Sequence, residues 1–247
     1  NDGFNKDAIK SVRPGSEIPD LLSMWKTRFE KCYSPKRGKH RFVSREEILE
    51  NGYDLCERVY LSGYEYPKGV PLAYLGDLFD ITKGNSGAAQ AEHGPYQFIT
   101  SSEEPKLHSS YSFEGEAICI PLVSSTGHGH ASMKTLHYVN GKFEAATITA
   151  VLFPKPNVIV HVPFVYSYLL AHKDELFVPL MRGAANVSLN LDRLARLRIP
   201  LPRTIKEQKS VVEKFAALTC KVQQCRTDLE TAKDELASEL TRFRESF

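Results

Sequence analysis

Arg182-Gly-Ala-Ala-Asn-Val-Ser-Leu-Asn190 is followed by Leu197-Arg-Ile-Pro-Leu-Pro202, by Ile205-Lys-Glu-Gln-Lys209, and then by a long heptad run. From Val211 the apolar positions are Phe215, Leu218, Val222, Cys225, Leu229, Ala232, Leu236 and Phe243, broken only at Glu239. Their spacing alternates four and three. A period of 3.5 keeps one seam turned toward a partner helix, so the pattern predicts a coiled coil, with Val211 through Leu236 as its interface. Leu240 offers another final register, a stutter. The plainer alternative is a terminal helix lying on its own domain, and there too the seam needs an apolar cover. A continuous helix from about residue 206 would be roughly 60 Å long.

Upstream the pattern changes. Ala117 to Val123 is a short apolar run. Leu136–Val139 and Lys142–Ala145 flank Asn140-Gly141, which predicts a hairpin because a type I′ turn needs positive φ at both central residues. Thr147–Phe153 and Val158–Val162 are β-branched runs divided by Pro154-Lys-Pro156, and a helix is expected from Pro163 to Lys173. Before them, Ile18–Phe29 reads as a helix, and Ser44-x-x-Glu47 is a capping box that opens a second. The expected fold class is α+β. Its parts are a helical segment over 1–68, a strand-rich domain over 69–203 and the coiled-coil helix over 204–247. Tyr64–Gly69 is the expected linker.

Taken in order, the Gly-Ala-Ala-Asn-Val-Ser-Leu turn, the strand ending Ile199-Pro-Leu-Pro202, the Glu207-Gln208 pair and the coiled-coil helix resemble the specificity subunit of type I restriction–modification systems. Tyr74-Leu-Gly-Asp-Leu-Phe-Asp-Ile-Thr-Lys-Gly84 is similar to that family's opening strand and glycine turn, and Tyr96-Gln-Phe-Ile-Thr100 to its second strand. The likeness covers about Val70 to Phe247. In residues 1–66, Asn1-Asp-Gly-Phe, Ile18-Pro-Asp-Leu-Leu with Trp25, Val43-Ser-Arg-Glu-Glu-Ile and Asn51-Gly-Tyr-Asp-Leu resemble the tail of an adenine-N6 DNA methyltransferase. Both likenesses in one chain imply a fused modification–specificity protein. The chain begins at Asn1 rather than Met, and a piece of a longer protein is expected.

The resemblance implies sequence-specific recognition of double-stranded DNA, alongside a methyltransferase catalytic domain and a coiled-coil partner, for which a second copy is one option. A net charge of +2 says little, but its distribution says more. Lys26 to Arg45 holds eight basic residues against Glu30, among them Lys36, Arg37, Lys39 and Arg41, the phosphate-contact candidates. Arg182 to Arg203 holds five arginines against Asp192. Solvated surface is the alternative for both. Base-reading candidates lie in three polar, glycine-containing segments: Lys83, Asn85 and Ser86; Ser124, Thr126, His128 and His130; and Arg182 and Asn186.

Several chemistries are excluded or disfavoured. No Pro-Pro pair exists, so the Asn/Asp-Pro-Pro-aromatic loop that holds a flipped adenine is absent. Gly127-His-Gly-His130 is too short for a methyl-donor loop, and no Gly-x-Ser-x-Gly or Walker A sequence occurs. His128, His130 and His137 have no cysteine or carboxylate at ligand spacing, so no metal is expected. No cofactor is expected in this chain, and S-adenosylmethionine is expected in the catalytic domain. Whether the chain is itself an enzyme stays open on sequence, with inactivity alone expected. The five cysteines form no Cys-x-x-Cys and no long apolar span occurs, which predicts a cytoplasmic protein with no membrane association. An assembly scaffold with weak, unspecific DNA affinity is the competing reading.

Overall fold

The computed structural model describes residues 18–27, 42–53, 55, 60, 64, 66–87, 93–124, 131–183 and 187–245. The chain divides into two compact units, Asn1–Gly63 and Tyr64–Phe247. In the first, helix α1 spans Ile18–Thr27 and α2 spans Arg45–Glu50. Ser44 Oγ accepts the Glu47 N–H at 3.1 Å, so the capping hydroxyl acts where the sequence placed it. The rings of Trp25 and Phe42 meet at a tilt, with centroids 6.4 Å apart.

The second unit opens with β1 (Leu72–Tyr74), a helical turn α3 (Leu75–Leu78) and β2 (Phe79–Lys83). The opening strand expected from Tyr74 is thus interrupted, because Leu75 and Leu78 turn into the core. Strands β3 (Tyr96–Ile99), β4 (Lys106–His108), β5 (Phe113–Pro121), β6 (His137–Ala145) and β7 (Thr149–Pro154) follow. Then come α4 (Val162–Ala171), α5 (Lys173–Phe177), α6 (Leu191–Ala195), β8 (Arg198–Pro200) and α7 (Ile205–Glu245). Helices and a mixed sheet coexist, as an α+β chain requires. The main sheet runs β2-β7-β5-β6-β3-β4, antiparallel except for β3 beside β6. Strands β1 and β8 form a separate antiparallel ribbon, so the domain's first and last strands are neighbours.

The sheet cannot be flat. Phe143 pairs with Phe113 at one end of β5, while Thr149 pairs with Pro121 at the other. A straight strand of that length spans about 27 Å. Ala145 and Thr149 are four residues apart in sequence, a reach of at most ~14 Å. The sheet therefore coils until the end of β6 lies near the start of β7. The continuation of β2 then meets β6, through a bridge between Ser86 and Ala146. Inside the curl Ala117, Cys119, Val139, Phe143, Ala145 and Val151 form one core, with Ile99. On the other face Ile118, Ile120, Ala150 and Leu152 join the helical layer of Val162, Val165, Leu169 and Phe177. Strand β5 is buried on both faces, which is why Ala117–Val123 reads as a continuous apolar run rather than an alternation.

Three expectations fail here. Asn140-Gly141 is not a hairpin turn, and β6 passes straight through it. Gly141 (φ +119°) faces Gly115 (φ +132°) across the β5–β6 pair. These two glycines give the pair the backbone freedom to bend, so the signal marks curvature instead of reversal. Val158–Val162 is not a strand. Val158 closes a turn onto the Lys155 carbonyl at 3.3 Å, and α4 begins at Val162. The expected helix to Lys173 breaks at His172, after which α5 starts.

The start of α7 carries a capping box of its own. Thr204 Oγ1 accepts the Glu207 N–H at 3.2 Å, and Glu207 Oε2 accepts the Thr204 N–H at 3.0 Å. At 41 residues the helix is about 60 Å long.

Candidate nucleic-acid interface

The glycine turn after β2 is fixed by backbone contact. A Cβ on Gly84 would lie 2.3 Å from the carbonyl oxygens of both Ala145 and Ala146, so only glycine fits. Asn85 and Ser86 then donate their N–H groups to the Ala145 carbonyl at 3.0 and 3.2 Å. This anchoring leaves the Lys83 and Asn85 side chains exposed and Ser86 half-buried.

The second segment leaves β5 beside the same turn. Leu122 donates to the Ile148 carbonyl at 2.7 Å, while Thr147 donates to Ser86 at 2.9 Å. Ser124 Oγ accepts the Ser132 N–H at 3.0 Å, tying the two sides of that loop together. The third segment is pinned to the second. Arg182 and Ser188 exchange backbone bonds at 2.8 and 2.7 Å, and Ser124 N–H donates to Val187 at 2.9 Å. Lys83–Ser86, Ser124, Arg182, Val187 and Ser188 therefore share one rim of the coiled sheet. Thr126, His128, His130 and Asn186 lie outside the described residues, as do Lys36, Arg37, Lys39 and Arg41.

The rim also contains a residue that sequence reading missed. Thr147 is exposed between the first two segments. It looked like the first residue of a β-branched strand, and only the register shows that β7 starts two residues later. Arg182 is differently placed. Its Nη1 donates to the Pro179 and Met181 carbonyls at 2.6 and 2.8 Å, so that nitrogen holds its own turn. Arg193 reaches the Leu180 carbonyl at 3.4 Å, and Arg198 lies over the Tyr66 ring at 6.0 Å. Much of the second basic cluster thus binds its own domain, while Arg196 and Arg203 are exposed.

His137 is buried, and its Nε2 donates to the Ser102 carbonyl at 2.9 Å when neutral. Burial pushes its pKa down, opposed by that bond. Among the described residues no group of three or more His, Cys, Asp or Glu side chains could hold a metal. None of the described helices is long and apolar enough to cross a membrane.

The predicted seam divides in two. Val211 packs on the domain core, together with Val212. Phe215, Leu218, Val222, Leu229 and Leu236 are 42–62% exposed, and Cys225 and Ala232 are exposed as well.

A family model described as the type I restriction modification DNA specificity domain matches residues 67–230, more than half of the chain. Among solved structures, the S subunit of a type I restriction–modification system from M. genitalium is similar, at 15% identity and a TM-score of 0.50 over 65% of this chain and 42% of that one. The HsdS subunit from Thermoanaerobacter tengcongensis is 16% identical, with a TM-score of 0.45 over 86% and 53% of the two chains. A chain from a structure of type I R-M complex assembly is 18% identical, with a TM-score of 0.48 over 94% and 58%. The present chain spans about half the length of these solved chains. Among curated proteins none matches. The chain belongs to the family of type I restriction modification DNA specificity domains.

Proposed function

We propose that this specificity domain reads a defined sequence in double-stranded DNA and directs a restriction–modification adenine-N6 methyltransferase to it. The observation that carries this reading is the gathering of Lys83–Ser86, Ser124, Arg182 and Ser188 on one rim of a coiled, closely buried sheet. A rigid platform with short loops is what base reading needs, since each side chain must reach a groove edge in fixed register. Lys83 suits guanine O6 and N7, Asn85 suits adenine N6 and N7, and the Ser86, Ser124 and Thr147 hydroxyls pair with either. Thr126, His128, His130 and Asn186 complete the reading set. Lys36, Arg37, Lys39 and Arg41 supply phosphate contacts that set register but carry no sequence information. Arg182 contributes through its turn more than through its guanidinium.

The chain's own residues do not fit a methyl donor, because the base-clamping and glycine-rich sequences are absent from it. In this reading S-adenosylmethionine and the flipped adenine belong to a catalytic domain. Residues 1–63 connect to that domain, and the assembly works in the cytoplasm, where it meets DNA.

The exposed seam of α7 calls for another helix, and its charges favour an antiparallel second copy. Ile205–Arg226 holds five basic residues against Glu207 and Glu213. Thr227–Phe243 reverses this, with Asp228, Glu230, Asp234, Glu235 and Glu239 against Lys233 and Arg242. Antiparallel pairing sets each basic half beside an acidic one, whereas parallel pairing sets like against like. Two readers joined in this way would recognise an interrupted palindrome.

Selection from a random duplex pool tests the reading. The expected result is one enriched sequence bound at least about a thousandfold more tightly than random duplex. Failure to enrich any sequence, with uniform salt-sensitive binding, would leave the scaffold reading, in which the seam only assembles other proteins.

A further inference from the structure

The joint between the reading domain and the long helix contains a buried polar side chain with partners on both sides. Gln208, in the first turns of α7, is completely buried. Its Nε2 donates to the Pro202 carbonyl at 2.9 Å and to the Ile159 carbonyl at 3.3 Å. Its Oε1 accepts the His161 N–H at 2.7 Å. Both amide protons and the amide oxygen are therefore used, on backbone from two separate segments. One is the approach to α7 itself. The other is the irregular stretch that leads into α4.

Apolar contact at this joint is small. Ile205, Val211 and Val212 are half-buried, and beyond Val212 every described side chain of α7 is exposed. The free arm from residue 213 to 243 is about 46 Å long, so a tilt of 10° at the joint would move its tip by roughly 8 Å. Apolar burial is non-directional and resists such rocking weakly. Three hydrogen bonds from one planar amide resist both rotation and tilt, because each weakens steeply off its axis.

We infer that Gln208 is a positioning residue that fixes the direction of α7 relative to the reading rim. It is a clamp for the geometry of the arm. The inference goes beyond the DNA-reading proposal and does not depend on it.

The test measures the angle directly. Spin labels go on the domain at position 107 and on the arm at position 238, in the full chain with its other cysteines replaced by serine. Leu218→Glu and Leu229→Glu are included so that a second helix cannot hold the arm. The unaltered joint should give a narrow distance distribution. Gln208→Met keeps length and volume but removes the hydrogen bonds, and should broaden the distribution at least twofold. A pair of labels at positions 107 and 134, both in the domain, should keep its width. Gln208→Asn, one methylene too short to reach all three partners, should broaden it too, and serves if Gln208→Met does not fold. A 107–238 distribution of unchanged mean and width in a folded variant overturns the inference, as does equal broadening of the pair within the domain.

Discussion

Strand β5 and helix α7 are both rich in apolar side chains, yet they meet opposite surroundings. In β5 the residues Ala117 to Ile120 are fully buried, alternately inside the curl and beneath the helices. In α7 the described side chains from Phe215 onward stand in the open. The sequence pattern announces the difference. A run of consecutive apolar residues asks for cover on both faces, and a narrow 3.5-residue stripe asks for a single partner. What the comparison teaches is that the domain satisfies its own requirement and the helix does not. Stability therefore resides in the first region, and the association proposed above would rest on the second.

The largest expected effect falls on the buried side. Phe143 lies in the inner core, 5.5 Å from Phe113 and 6.3 Å from Phe153. Phe143→Ala should cost ~3–5 kcal/mol in urea unfolding. Leu236→Ala on the exposed arm should change unfolding of the domain by no more than ~0.5 kcal/mol. Equal losses would erase the contrast.

The converse applies to association. Leu218→Glu with Leu229→Glu places two charges in the seam and should weaken pairing by at least ~3 kcal/mol, more than a hundredfold. Sedimentation velocity should show dimer becoming monomer, with the domain's melting temperature unmoved. A wild-type monomer at high micromolar concentration would remove self-pairing.

The rim can also be set against the basic segment of the first unit. Asn85→Ala or Thr147→Ala should erode discrimination by ~1–3 kcal/mol and leave random-duplex binding intact. Replacing Lys36, Arg37, Lys39 and Arg41 with alanine should weaken all duplexes alike, lowering the salt slope by about 0.9 for each phosphate no longer neutralised. Reduced discrimination from the basic variant alone would exchange the two roles.

The smallest effect is on pH dependence. His137 is held below the usual histidine value of 6.5, chiefly by burial. His161 is held below it by burial and then by Lys209, with Glu116 opposing. Below pH 6.5 the unfolded chain takes up protons that the folded domain refuses, so stability falls as pH drops toward the folded values. Melting temperatures between pH 7.5 and 5 should decline, and His137→Asn should flatten the slope.

The readable parts of the molecule were local ones. The Ser44 cap and the apolar spacing of β5 and α7 are written in residues a few positions apart, whereas the Gly84 turn is fixed by the distant Ala145 and Ala146 carbonyls. Asn140-Gly141 misled because a glycine facing another glycine across a strand pair has the same signature as a turn. Val158–Val162 misled because its β-branched composition said nothing of Gln208, 49 residues from Ile159, whose amide supports that stretch from outside any sheet. Thr147 was hidden by register, and Arg182 looked available because its bonds run to carbonyls that no side-chain pattern records.

The ribbon of β1 and β8 has a consequence for how such a domain tolerates change. Leu72 lies opposite Pro200 and Tyr74 opposite Arg198, so one two-stranded stem closes the loop formed by everything between. The entropy of closing that long loop is met once, at the stem, and each doubling of its length adds only about 0.6 kcal/mol. Surface loops inside the stem can lengthen or shorten at that small cost, so long as the stretch from Ile159 to His161 that holds Gln208 stays in place. The stem is a single closure that serves every segment lying between its two strands.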